Sequence, residues 1–316
     1  MTDLLTAQAA QHSQALHVHM ITRPQADCIL LIDTVPRPIT EEDALWEHYS
    51  QRSNVSVKLG HPDIDPAHYP MLLPLNVAKF KDSRLLEQSV LSALEELPSQ
   101  SLRRGAGRRI TGWLTSSEPI RSVARHLAAT MIQRPPMGRG VAWLRLQDPA
   151  VLWWLWSFLS PQQRTALLGP IDAFWLLDPA GRLVALRAEP IQAQAPQVPL
   201  TLNREQWQDV NCIASLNLAI REWGQAQTVG ARFDSLCASA LAAARRARAA
   251  GFTDYRDVAV YARFALEIHP EFDSHAVVQA RLAQRNQNDY FTSLIADLEE
   301  RDWQRIANEC AIVAAG

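Results

Sequence analysis

Only three of the 316 residues are lysines, Lys58, Lys79 and Lys81, and only four are cysteines, Cys28, Cys212, Cys237 and Cys310. The cysteines stand far apart and form no CxxC pair, so they read as buried free thiols in a reducing compartment. Charge of one sign is lacking too: 31 Lys+Arg face 33 Asp+Glu, and without a basic excess a nucleic-acid partner has no electrostatic footprint to grip. No apolar run approaches the ~20 residues that span a bilayer. The opening stretch "MTDLLTAQAAQHSQALHVHM" has neither an early Lys or Arg nor a long apolar centre, so a secretory signal is not expected and a cytoplasmic location is. Nucleophile and metalloprotease patterns (GxSxG, SxxK, HExxH) do not occur.

What is present divides into two textures. Apolar residues make up 47% of the chain, enough for a sizeable core. Over residues 1–190 short β-like runs alternate with helical stretches. "DCILLID" (27–33), "NVSVKL", "PMLLPL" (70–75), "RRITGWLTS" (108–116) and "GVAWLRL" (140–146) have strand length. "EEDALWEHYSQ" (41–51), "DSRLLEQSVLSALEEL" (82–97) and "SEPIRSVARHLAATMI" (117–132) have helical spacing, the last with Pro119 in its first turn. A hairpin is expected over 174–188, turning at Asp178-Pro179-Ala180-Gly181. This order predicts an α/β domain with a mixed, partly parallel sheet and flanking helices. Residues 191–200 hold prolines without periodicity and read as a linker. Residues 201–316 read as an all-α lobe, with helices over 203–223, 230–250, 254–268, 275–285 and 288–312. Thr201 or Asn203 opens the first; Gly251 follows the second as its left-handed stop, with Arg245, Arg246 and Arg248 in its last turns, where cations suit the helix dipole.

Constellations for chemistry are few. "HPDIDPAH" (61–68) gathers His61, Asp63, Asp65 and His68, ligand types that suit zinc or a non-haem metal, but two prolines make it a loop with no His/Glu pair at helical spacing nearby. "HVH" (17–19) alternates as on a strand. "GAGRR" (105–109), with Arg103, Arg104, Arg108 and Arg109, invites a phosphate-loop reading. It follows a helix and precedes a strand, the reverse of the order a phosphate loop needs, so a solvated basic loop fits better. His126 reads as structural, and Glu95-Glu96 as ordinary helix surface.

The segment "RLQDPAVLWWLWSFLSPQQRTALLGPI" (145–171) places Trp153, Trp154 and Trp156 within four positions. Asp148-Pro149 starts a helix, Asp148 as cap and Pro149 in the first turn. At ~100° per residue, Val151, Leu152, Leu155, Trp156 and Leu159 share the core face, Trp154 and Phe158 flank it, and Trp153 points away as a candidate partner contact.

The order of these segments carries a likeness. A glycine-tryptophan strand, "GWLTS" with Gly112 and Trp113, runs into the helix "EPIRSVARHL". "WLRLQDPAVL" follows, with Arg145 and Asp148-Pro149, then "LSPQQRTALLGPI" with Gly169-Pro170, then the "LDPAGRL" hairpin. This series resembles the effector-loading adaptor (chaperone) family of bacterial type VI secretion systems, encoded beside VgrG spike and toxin genes. "ILLIDTV" (29–35) is similar to that domain's opening strand and "GFTDYRDVAVYARFALEIHPEFD" (251–273) to its helical lobe. Gln147 and Ala150 depart from the pattern, where an aromatic and an arginine are expected. The resemblance implies a non-enzymatic protein without a cofactor, whose partners are a toxic effector and the VgrG spike, with neither nucleic acid nor membrane. It implies structural roles for Gly112, Trp113, Arg145, Asp148, Pro149, Gly169 and Pro170, with Arg145 and Asp148 as a candidate pair. Candidate partner contacts are Trp153, Arg103, Arg104, Arg108, Arg245 and Arg246. The alternative is a metal-dependent hydrolase built on the 61–68 loop, and a nucleotide-binding regulator using the 103–109 loop is a third reading.

Overall fold

The apolar run Asp27–Ile32 forms β1, and five of its six residues are buried because helices cover both faces of the sheet it centres. The computed structural model describes residues 2–23, 25–34, 54–97, 108–136, 140–189, 199–223 and 231–315. They fall into two units, Met1–Gln206 and Trp207–Gly316. The expected helix over 41–51 and most of the expected linker lie outside the described residues.

In the first unit α1 (Thr2–Ile21) precedes β1; β2 (Val55–Ser56), β3 (Met71–Leu75), α2 (Phe80–Glu95), β4 (Ile110–Ser116) and α3 (Ile120–Met131) follow it. Next come β5 (Ile132–Gln133), β6 (Ala142–Trp143), α4 (Pro149–Phe158), α5 (Pro161–Leu168), β7 (Ala173–Leu177) and β8 (Leu183–Leu186). The "HVH" triplet lies within α1 rather than on a strand. The main sheet has the order β2-β3-β1-β4-β7-β8, and every described pair is antiparallel. The α/β class is therefore as expected, but the sheet is not partly parallel. The β3–α2–β4 unit does run its two strands the same way, yet β1 lies between them and is antiparallel to both. A strand–helix–strand order alone cannot reveal such an interposed strand.

Strand alternation sorts the core. Cys28, Leu30 and Ile32 of β1, Leu73 and Leu75 of β3, and Trp113 of β4 pack with Leu16 and Met20 of α1 and Leu85, Leu86 and Val90 of α2. Against the opposite side, α3 lies over β2 and β3, and α4 over β4 and β7. The Nε1–H of Trp113 donates to Ser89 Oγ at 2.9 Å, which satisfies the one polar atom of a fully buried indole. The expected strand over 140–146 shrinks to β6, which among the described residues pairs with β5 alone in a two-stranded ribbon. The hairpin turns where expected: Asp178 Oδ1 accepts from the N–H of Ala180 and of Arg182, and Gly181 takes φ +79. Pro119 is the cap before α3, not a first-turn residue.

The second unit holds most of α6 (Arg204–Trp223), then α7 (Ala231–Ala249), α8 (Tyr255–Glu267), α9 (Ala276–Ala283), α10 (Phe291–Leu294) and α11 (Glu300–Ala315). Two helices thus replace the single one expected over 288–312. Asn203 and Gln206 cap the start of α6 reciprocally. At Gly251 (φ +88) the bonds Phe252 N–H to Ala247 O and Gly251 N–H to Arg248 O close α7 as a Schellman turn. Rings of Phe252, Tyr261, Phe264, Phe272, Phe291 and Trp303 meet edge to face to form the unit's core. All four cysteines are free and buried, as expected.

Candidate functional site

The Asp-Pro segment begins α4 as its residues predict. Asp148 Oδ1 accepts from Ala150 N–H at 2.9 Å, and Pro149 fills the first helical position. With that carboxylate engaged at the cap, Arg145 does not pair with it. Its Nη2 reaches Asp33 Oδ2 at 3.2 Å, at the end of β1, and its guanidinium stands 5.7 Å from the Trp143 ring centroid. The expected Arg145–Asp148 pair is therefore replaced by Arg145–Asp33. The Thr111 hydroxyl donates a short hydrogen bond to the Gln147 carbonyl and ties the segment to β4. The Gln147 side chain is fully buried, and its amide oxygen and nitrogen have no hydrogen-bond partner among the described residues.

Around this segment polar groups gather at one end of the sheet. Glu96 is buried, not surface as its place in "ALEEL" implies. Its carboxylate accepts from Arg109 N–H at 2.8 Å and Ile110 N–H at 3.3 Å, and pairs with Arg109 Nε at 3.2 Å. Burial pushes its pKa above 4.5, against the pull of those N–H groups and the Arg109 charge. Arg108 is half-buried. Desolvation lowers its pKa, while the carboxylates of Asp148, Glu96 and Asp178 favour its charge. Its Nη1 is buried with no hydrogen-bond partner among the described residues, so Arg108 is not part of the solvated basic loop expected. Arg103 and Arg104, with the rest of "GAG", lie outside the described residues.

The tryptophans divide differently from the helical projection. Trp154 is only 2% exposed and packs toward the sheet, whereas Trp156 is half-buried. The guanidinium of Arg164 lies over the Trp156 ring at 5.1 Å from its centroid, with its Nε–H on Trp156 O at 3.2 Å. Trp153 is half-buried and meets Trp154 edge-on at 4.8 Å. Ser157 is the only polar residue in "AVLWWLWSF", too little to centre an apolar stripe. The buried set Ala150, Leu152, Trp154 and Leu155 puts the core direction through Val151, with Trp153, Trp156 and Ser157 opposite.

Gly112 and Gly169 give close approach. A Cβ at Gly112 would lie 2.1 Å from the Trp175 carbonyl oxygen, and one at Gly169 (φ +53) would lie 2.3 Å from the His126 ring. His126 Nε2 bonds the Leu167 carbonyl at 2.8 Å, and burial lowers its pKa, as suits a structural histidine. The Ser116 hydroxyl donates to Pro170 O at 2.6 Å.

The two arginines proposed from α7 are engaged within their own unit. Arg245 grips Asp209 through two 2.7 Å bonds. Arg246 grips Asp273 at 2.6 and 2.8 Å, and Asp273 also accepts from Tyr261 Oη. In the 61–68 loop Asp65 caps a 3-10 turn through Ala67 N–H at 2.8 Å, and His61 accepts from Asp63 N–H. Among the described residues no three His, Cys, Asp or Glu side chains are grouped to hold a metal ion, so the metal alternative has no assembled donor set there.

Sequence reading missed Glu96 and Asp33. Glu96 follows a helix pattern that marks it as surface, and Asp33 ends a strand with no motif around it. Residues 67–166 match the family model described as Domain of unknown function (DUF4123). The matched stretch takes in β3, α2, β4, α3, the β5–β6 ribbon, α4 and most of α5. No curated protein and no solved structure matches the chain.

Proposed function

We propose that this protein is a non-catalytic adaptor that binds a type VI secretion effector and loads it onto the VgrG spike. The match of residues 67–166 to the DUF4123 model carries this reading, because that domain family is associated with type VI effector and adaptor genes. The geometry is in keeping with it. Glu96, Arg109 and His126 make bonds that hold elements together and Asp148 caps α4, so these polar groups of the matched segment serve the scaffold. The partner-facing work then falls to surfaces rather than to a reaction centre. Trp153 and Trp156, on the side of α4 away from the sheet, are one such surface. The test is co-purification of the full chain with the effector and the VgrG protein encoded beside its gene. Retention of both supports the adaptor; retention of neither refutes it.

A further inference from the structure

Outside the Asp-Pro segment, the first unit carries a groove of about 410 Å³ at the C-terminal end of α3. Its floor is small and apolar: Ala128 and Ala129 of α3, Ile132 of β5, and Val141, which is 38% exposed. Lys58 and Arg134 stand at it, both exposed. Neither makes a hydrogen bond or ion pair with a described residue, and none of the described residues lining the groove is a carboxylate. Gly60 leaves its side open, with nothing within 4 Å of where a Cβ would be.

Three features decide what would bind. The alanines keep the floor low, so it takes apolar side chains rather than a large buried ligand. Two cations, with no acid among the described lining residues, give the site a sign, which a carboxylate-bearing partner answers. The open mouth suits an extended segment of a protein more than an enclosed small molecule. We propose that this groove docks a short acidic segment of a protein partner, with apolar side chains on the alanine floor and flanking carboxylates at Lys58 and Arg134. This deepens the adaptor reading and rests on it for the partner's identity, though not for the groove's chemistry.

The test uses the full chain and a fluorescein-labelled peptide of repeated Asp-Glu-Leu, with a Lys-Lys-Leu counterpart, in fluorescence anisotropy at low and high salt. The expected result is binding of the acidic peptide and not the basic one, weakened by salt. The double variant Lys58→Glu/Arg134→Glu should weaken it roughly tenfold or more, since each reversal turns an attraction into a repulsion. Ala129→Trp, which fills the floor without altering charge, should weaken it as well. Equal affinity for the two peptides, or an unaltered affinity in a folded double variant, overturns the proposal. Because the probe is synthetic, these outcomes are independent of co-purification. A chain that retains effector and VgrG but shows no acidic preference loses the groove and keeps the adaptor reading. A chain that prefers the acidic peptide but retains neither protein does the reverse.

Discussion

Replacing Gly112 with alanine tests the packing logic of the sheet most directly. The new Cβ would stand 2.1 Å from the Trp175 carbonyl oxygen and 2.8 Å from Cε1 of Phe174. Both belong to β7, whose residues 173–175 pair with residues 113–115 of β4. The oxygen can therefore retreat only if the two strands separate. Overpacking against side chains costs about 1–3 kcal/mol. Here one obstacle is backbone in a central strand, so a loss of ~3 kcal/mol or more is expected. For a unit of this length each kcal/mol moves Tm by roughly 2–4 °C, which puts the shift at about 6–12 °C. Gly60→Ala is the internal comparison. Gly60 has no atom within 4 Å of its Cβ position and no positive φ, so it should unfold within about 0.5 kcal/mol of the parent, or later, because alanine restricts the unfolded chain. Urea and thermal unfolding followed by circular dichroism and tryptophan fluorescence measure both. A Gly112→Ala protein as stable as the parent would refute the argument that the β4–β7 crossing demands a missing side chain.

Three further outcomes are expected. Asp148→Ala should destabilise the first unit by about 1 kcal/mol through loss of the α4 cap, and Asp148→Asn by much less, since it keeps an oxygen for Ala150 N–H; equal losses in urea unfolding would contradict a cap role. Burial lowers the His126 pKa from 6.5, so the unfolded chain binds the proton more readily, and stability present above pH 6.5 should fall as pH drops through the window below it. His126→Gln should flatten that fall, and identical stability–pH curves would show that His126 does not contribute. Arg246→Ala should destabilise the second unit by about 2–3 kcal/mol, because buried Asp273 loses a bidentate partner. A variant of unaltered stability with impaired partner binding would instead make Arg246 a contact residue.

Much of the fold could be read from the residues because local rules and tertiary structure agree there. "DCILLID", "GWLTS" and the Asp178–Gly181 turn sit where alternation and turn chemistry place them. Asp148-Pro149 and Gly251 mark helix ends for the reasons their side chains supply. Strand direction was not legible, since β1 enters between β3 and β4 without any local signal. The buried ions were not legible either. Glu96 looks like the end of a solvated helix until Arg109, thirteen positions later, folds back onto it. The partner choice of Arg145 has the same cause: Asp148 is its neighbour in sequence, but Asp33, 112 positions away, is its neighbour in space.

The motif residues also say something about where partner recognition should lie. Gly112, Trp113, Asp148, Pro149 and Gly169 bring helices and strands into contact or end them. Such residues specify the scaffold, and changing them alters stability before it alters binding. A surface that discriminates one partner from another has to be free of those packing demands. Lys58, Ala129 and Arg134 meet that condition: they are exposed, lie outside the motif series, and carry a charge that no described residue answers or an open floor. The residues that carry the motif series and the residues proposed to select a partner are therefore different sets. The peptide experiment on Lys58 and Arg134, set beside the stability of Gly112→Ala, separates them.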